Sequence, residues 1–336
     1  MAGGNQTNLI AQGAPAPIIR IFGWFVLAAM ATFLINVVLT FWFGFPGIGS
    51  LVGWETNAPP NGLEWLQVAI YVLVPAAACL QVLRTPNRSL RADAKVVSDA
   101  NAFIIRAAFW VVLLVGLADT VVSFLRVEGF LPALFGDQMT LSLGRSQYRG
   151  LYVHMPVALI GVVIAIFNRS LGFIWLALLV VAAELLIVFS RFVLSYEQAF
   201  MSDLVRFWYA ALFLFASAYT LLEDGHVRVD VLYAGFSRRT QGKVNVVGSI
   251  LLGMTLCWTI LLVGMWGKSS VINAPLLVYE TTQTGFGMYV KYFMAGFLGV
   301  FAVTMMLQFV SMLFSSAADA RNDPGGTPDH HAGHIA

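Results

Sequence analysis

The chain has 336 residues, of which 59% are hydrophobic and 11% charged, with a net charge of +2 and a mean hydropathy of +0.80. Soluble domains carry about 25% charged residues, so this chain has too little polar surface to cover a soluble core, and its class is integral membrane. The small net charge gives no reason to expect a nucleic-acid partner.

A membrane-spanning helix needs about 20 mostly apolar residues. That rule predicts an all-α protein with eight spans, near 21–43, 64–83, 104–125, 151–167, 171–190, 204–222, 244–266 and 290–314. The first run, from Ile21 to Phe43, follows a first positive charge at Arg20. It is longer than the roughly 7–15 apolar residues of a signal peptide and reads as a retained span. The loop 44–63 is rich in Gly and Pro and reads as irregular chain. Residues 84–106 form a polar loop long enough for a surface helix, with Ser98 or Asp99 expected to cap the third span. The loop 126–150 ends in SLGRSQYRG, and the short turn Asn168-Arg169-Ser170 makes spans four and five an antiparallel pair. After Phe314 the chain turns polar, and 316–336 is expected to be a disordered tail. Its HHAGH cluster reads as mobile polar chain rather than a metal site.

Lys and Arg concentrate in cytoplasmic loops. With the N-terminus inside, 12 of the 19 fall on the inner side, which predicts that both termini are cytoplasmic. Cys79 and Cys257 lie in apolar runs without CxxC spacing and read as small buried hydrophobes.

Charges inside a membrane are costly and face protein or water-filled cavities. Asp119 in span three is expected to hydrogen-bond to a neighbouring helix. His154 has no second His in any span, which argues against haem. Glu184 lies in span five, seven residues before Arg191. Two turns put both on one face about 10 Å apart, too far to pair. Glu184 therefore needs another partner and is expected to hold its helix to another. Asp203 and Arg206 are three apart at a helix start and are expected to pair. Further on, His226, Arg228 and Asp230 form a polar set among Val227, Val229 and Val231, which predicts an interfacial amphipathic segment. Small residues offer close packing to a partner helix: Ala210, Ala211, Ala216 and Ala218 in span six, Gly248 and Gly253 in span seven, and Ala295, Gly296 and Gly299 in span eight. No catalytic constellation is visible, so no enzyme activity, cofactor or metal is expected.

The order of these motifs carries a resemblance. Ser190-Arg191, then Ser202-Asp203 with Arg206, then the Ala216–Ala218 helix, then His226 with Asp230 and an SRR-rich loop resembles the small membrane (DctQ-like) subunit of tripartite ATP-independent periplasmic (TRAP) transporters. The family often has two acids where this chain has Ser202 and Asp203, and often a proline in and before its last helix, where this chain reads ETTQTGFGMYVKYFMAGF. The resemblance covers about 171–315. It implies a four-helix core over 169–315, preceded by a four-helix extension over 1–168. It also implies a bacterial inner-membrane protein that scaffolds a large membrane subunit and helps dock a periplasmic binding protein, for sodium-driven uptake of an organic acid. On that reading Glu184, Ser190, Arg191, Asp203, Arg206, His226, Arg228 and Asp230 are interface or structural residues. Two other readings compete. A self-sufficient secondary transporter would show paired interrupted helices, whereas Gly and Pro here cluster in loops. A membrane redox subunit would need ligands that the spans lack.

Overall fold

The structure is a computed structural model, and it describes residues 14–52, 62–168, 173–222, 231–281 and 287–325. These are helical, without strands among the described residues. Helix α1 is Pro17–Phe41, α2 Leu63–Arg84, α3 Leu90–Val127 and α4 Leu131–Leu143. Helix α5 runs over Ser146–Phe167, α6 is Phe173–Val193 and α7 Ala199–Leu222. Helix α8 covers Arg238–Met265, α9 is Asn273–Val278 and α10 Lys291–Ala320. Among the described residues eight of these are long and apolar enough to cross a membrane, namely all but α4 and α9. The eight spans read from the sequence are therefore present.

Two local expectations change. Helix α3 is continuous over 38 residues, about 57 Å at the usual helical rise, against about 30 Å of hydrocarbon. The polar residues 90–103 thus extend the third span instead of forming a loop. Ser98 and Asp99 lie inside that helix and cap nothing. Ser89 takes that part, its Oγ accepting from Ala92 N at 3.1 Å, while Asp99 pairs with Lys95 at 2.9 Å one turn back. The 126–150 loop is also largely helical, as α4 and the start of α5. Helix α5 contains a π-helical turn at Gly150–His154, and that turn matters below.

The chain forms two compact units, each drawn from separate stretches of sequence. The first takes Met1–Ala100, Gly225–Thr259 and Met305–Ala336. Here Phe33 meets Trp258 edge-on at 6.2 Å, and Ser311 Oγ donates to Ala94 O at 2.9 Å. The Phe309 ring covers Gly253, where a Cβ would meet it at 2.6 Å. The second takes Asn101–Asp224 and Ile260–Thr304. Its apolar core joins Phe109, Val112 and Val115 of α3 to Leu176 of α6, Phe207, Trp208 and Phe215 of α7, and Phe297 of α10. Two glycines let the backbones of this unit approach. A Cβ on Gly161 of α5 would come within 2.8 Å of the Val111 backbone, and one on Gly116 of α3 within 2.6 Å of Trp208 Nε1. Ala211 and Ala218 are fully buried. Those two alanines and Gly253 therefore serve packing within the chain, not contact with a partner.

Candidate functional site

The second unit buries a charged cluster that ties α3, α5 and the residues before α10 together. Asp119 stands on α3, and Arg149 and His154 stand on α5. All three are fully buried. Asp119 Oδ1 accepts from Arg149 Nη1 at 2.9 Å and from His154 Nε2 at 2.9 Å. The π turn explains how both α5 residues reach one oxygen. Arg149 and His154 are five apart, off-face from one another in an α-helix. A π turn bonds i to i+5 and turns such residues toward the same side. His154 Nδ1 lies 2.7 Å from Tyr292 Oη. With the imidazole proton on Nε2, Nδ1 accepts from the tyrosine hydroxyl and both contacts are satisfied. Arg149 also donates from Nε to Leu143 O at 3.0 Å and from Nη1 to Ser123 Oγ at 3.1 Å.

The cluster continues into the short segment that leads into α10. Tyr289 N donates to Asp119 Oδ2 at 2.7 Å, and Met288 N donates to Asp203 Oδ2 at 3.0 Å. Two carboxylates, one from α3 and one from α7, thus hold two consecutive backbone N–H groups. Arg126 Nη2 donates to Gly287 O at 2.9 Å, and Arg126 Nη1 donates to the Tyr289 hydroxyl. The guanidinium carbons of Arg126 and Arg149 lie 4.6 Å and 4.1 Å from the Tyr289 ring centre. These are distances at which a cation is attracted to the ring face. Tyr289 Oη in turn donates to Gly144 O at 3.0 Å. Buried charges are tolerated when paired and hydrogen-bonded, and both oxygens of Asp119 are engaged here. The arrangement is a structural anchor for 287–290.

Of the residues singled out from the sequence, Asp203 belongs to this anchor. Its main contact is the Met288 backbone, and Arg206, largely exposed, lies 3.7 Å from its other oxygen. Ser190 is buried, and its carbonyl accepts from Leu194 N at 3.1 Å and Tyr196 N at 3.0 Å. These bonds close α6 through Ser195 in the left-handed region at φ 51°. Arg191 is exposed and pairs with Glu197 at 3.3 Å. Glu184 is exposed on α6, and among the described residues no hydrogen bond or ion pair reaches it. His226, Arg228 and Asp230 lie outside the described residues, as does the HHAGH tail.

Sequence reading missed Arg126, Arg149, Tyr289 and Tyr292. Two signals pointed toward them: Asp119 and His154 both sat inside apolar runs and both needed partners. The turn after α6 adds one more link to α3. Tyr196 Oη donates to Glu128 Oε1 at 2.5 Å. Loss of hydration and that carboxylate together push the Tyr196 phenol up to about 12.

The first unit holds a different pattern. Asp93 accepts from Arg20 Nε at 2.6 Å and lies 2.8 Å from Arg88 Nε. Arg20 also donates from Nη2 to Thr85 Oγ1 at 3.0 Å. Asp319 Oδ1 receives Arg91 at 2.7 Å and Arg238 at 2.6 Å. Each carboxylate sits between two guanidinium groups.

Eight apolar helices make the chain a multi-pass membrane protein, and its buried charges are spent on internal contacts. Residues 176–319 match the family model described as "Tripartite ATP-independent periplasmic transporters, DctQ component". Over these residues the chain is similar to the DctQ component of TRAP transporters, and further apolar helices precede them. Comparison with curated proteins found no match, and comparison with solved structures found none either.

Proposed function

We propose that the chain is the small membrane subunit of a TRAP-type secondary importer in a bacterial inner membrane. In this role it scaffolds a large transport subunit and helps dock a periplasmic binding protein for sodium-driven uptake of an organic acid. Residues 169–315 form the small-subunit core and 1–168 an extension with four spans; the tail expected from 316 is helical and packed up to Ala320, so the cytoplasmic tail starts after that residue. The observation that carries the reading is the family match over 176–319. The anchor around 287–290 supports it, because it uses buried charges to fix a segment and not to hold a solute. Asp203, on the small-subunit side of the chain, and Asp119, in the extension, both serve that one segment. The extension therefore stiffens the small-subunit core.

The test is to express the chain with and without its neighbouring genes, purify it by a tag on this chain, and assay uptake in liposomes under a sodium gradient. A stable complex with a large membrane subunit is expected, with uptake that requires a binding protein. Robust ion-driven uptake by the isolated chain would overturn the reading. Cysteines placed after residues 95, 145, 235 and 275 should label inside, outside, inside and outside, as the Lys and Arg bias requires. Any other order rejects the orientation.

A further inference from the structure

Helix α6 is the least covered span, with 11% of its most apolar window buried, against 56% for α10. One stripe of it faces the apolar core of the second unit: Leu176 belongs to that core, and Leu179, Val180 and Ala183 pack against it. A second stripe lies beside the first. Ala177, Val181, Glu184, Val188 and Arg191 follow one another at spacings of four, three, four and three residues. That is the spacing of a helix–helix seam. Val181 and Val188 are about half exposed, Arg191 is more exposed still, and Glu184 is exposed as well.

Glu184 decides what covers this seam. It lies about 16 Å along the axis from Phe173 and about 14 Å from Val193, and the hydrocarbon half-thickness is about 15 Å. Its carboxyl thus sits near the middle of the membrane, too deep for a short side chain to reach the interface. A charged group facing lipid there is costly, and such groups face protein and pair. Within this chain the described residues supply no partner. The small Ala177 and the β-branched valines leave room for another helix to approach closely.

We propose that the Ala177–Arg191 seam docks one transmembrane helix of the large membrane subunit, and that this helix places a lysine or arginine beside Glu184. The proposal rests on the small-subunit reading above and names the contact that reading requires. The occupant follows from charge: a mid-membrane carboxylate on an apolar seam calls for a cation at the same depth.

The experiment uses the full chain co-expressed with the large subunit. A benzophenone amino acid at Val181 or Val188 should cross-link to the large subunit on illumination. The same group at Leu186, on the opposite side of α6, should not. Glu184→Lys should lower co-purification about tenfold or more, and Glu184→Gln should lower it less. Converting the cation located by the cross-link to glutamate should restore binding to Glu184→Lys. Wild-type recovery with both Glu184→Gln and Glu184→Ala would overturn the seam and leave the small-subunit reading standing. So would cross-links only to a second copy of this chain. If the wild-type chain retains no large subunit under any condition, the small-subunit reading fails and the seam with it.

Discussion

The two compact units handle buried charge differently. In the first, Asp93 and Asp319 each sit between two guanidinium groups, and each set has a side open to water. Arg88 is 41% exposed beside Asp93, and Arg238 is 32% exposed beside Asp319. In the second, Asp119, Arg149 and His154 are all at 0%. Arg20 and Asp93 are themselves buried, so in the first unit the accessible member of each set is its outer guanidinium, whereas in the second unit none of the three is accessible. The same chemical motif, a carboxylate shared by two donors, therefore keeps one accessible partner in the first unit and none in the second.

That difference sets an order of effects. The largest belongs to Asp119→Ala, which leaves Arg149 buried without its counter-ion and takes away the acceptor of Tyr289 N. A loss of about 3–5 kcal/mol is expected, read as thermal unfolding in detergent, and salt should change it little. A loss below about 1 kcal/mol would show that the joint is hydrated and would erase the contrast between the units. Next is Asp203→Ala, which strands the buried Met288 N–H and should cost about 1–3 kcal/mol. Since Arg206 is mostly exposed, Arg206→Ala should cost far less, and equal losses would assign the role of Asp203 to the ion pair. The smallest is Arg238→Ala. Arg91 still holds Asp319, and the Arg238 and Asp319 side chains are 32% and 29% exposed, so about 1 kcal/mol or less is expected. The effect should shrink further in high salt, because exposed charges are screened. A larger, salt-independent loss would place this cluster with the dry one.

The eight spans were legible because membrane insertion is written in composition: about 20 apolar residues in a row make a span whatever surrounds them. The similarity of 176–319 to the DctQ component was legible too, since its motifs keep their order along the chain. The need of Asp119 for a partner followed from the cost of a bare charge. Ser98 and Asp99 misled because capping depends on where a helix begins. A polar stretch such as 90–103 is as compatible with an extended span as with a loop.

What only the tertiary structure decided was who meets whom. Asp119 and Tyr289 are 170 residues apart, and no local periodicity links them. Arg149 reads as a loop residue from the sequence, and the π turn at Gly150–His154 turns it inward beside His154. Ala211, Ala218 and Gly253 carry the small-residue signature of helix contacts, and only packing shows that those contacts are within the chain. Glu184 and Asp119 look alike in sequence, each a lone acid in an apolar run. Asp119 is enclosed by its own chain, whereas Glu184 is exposed among the described residues. Sequence states the cost of burying a carboxylate, whereas the fold alone determines which side chains surround it.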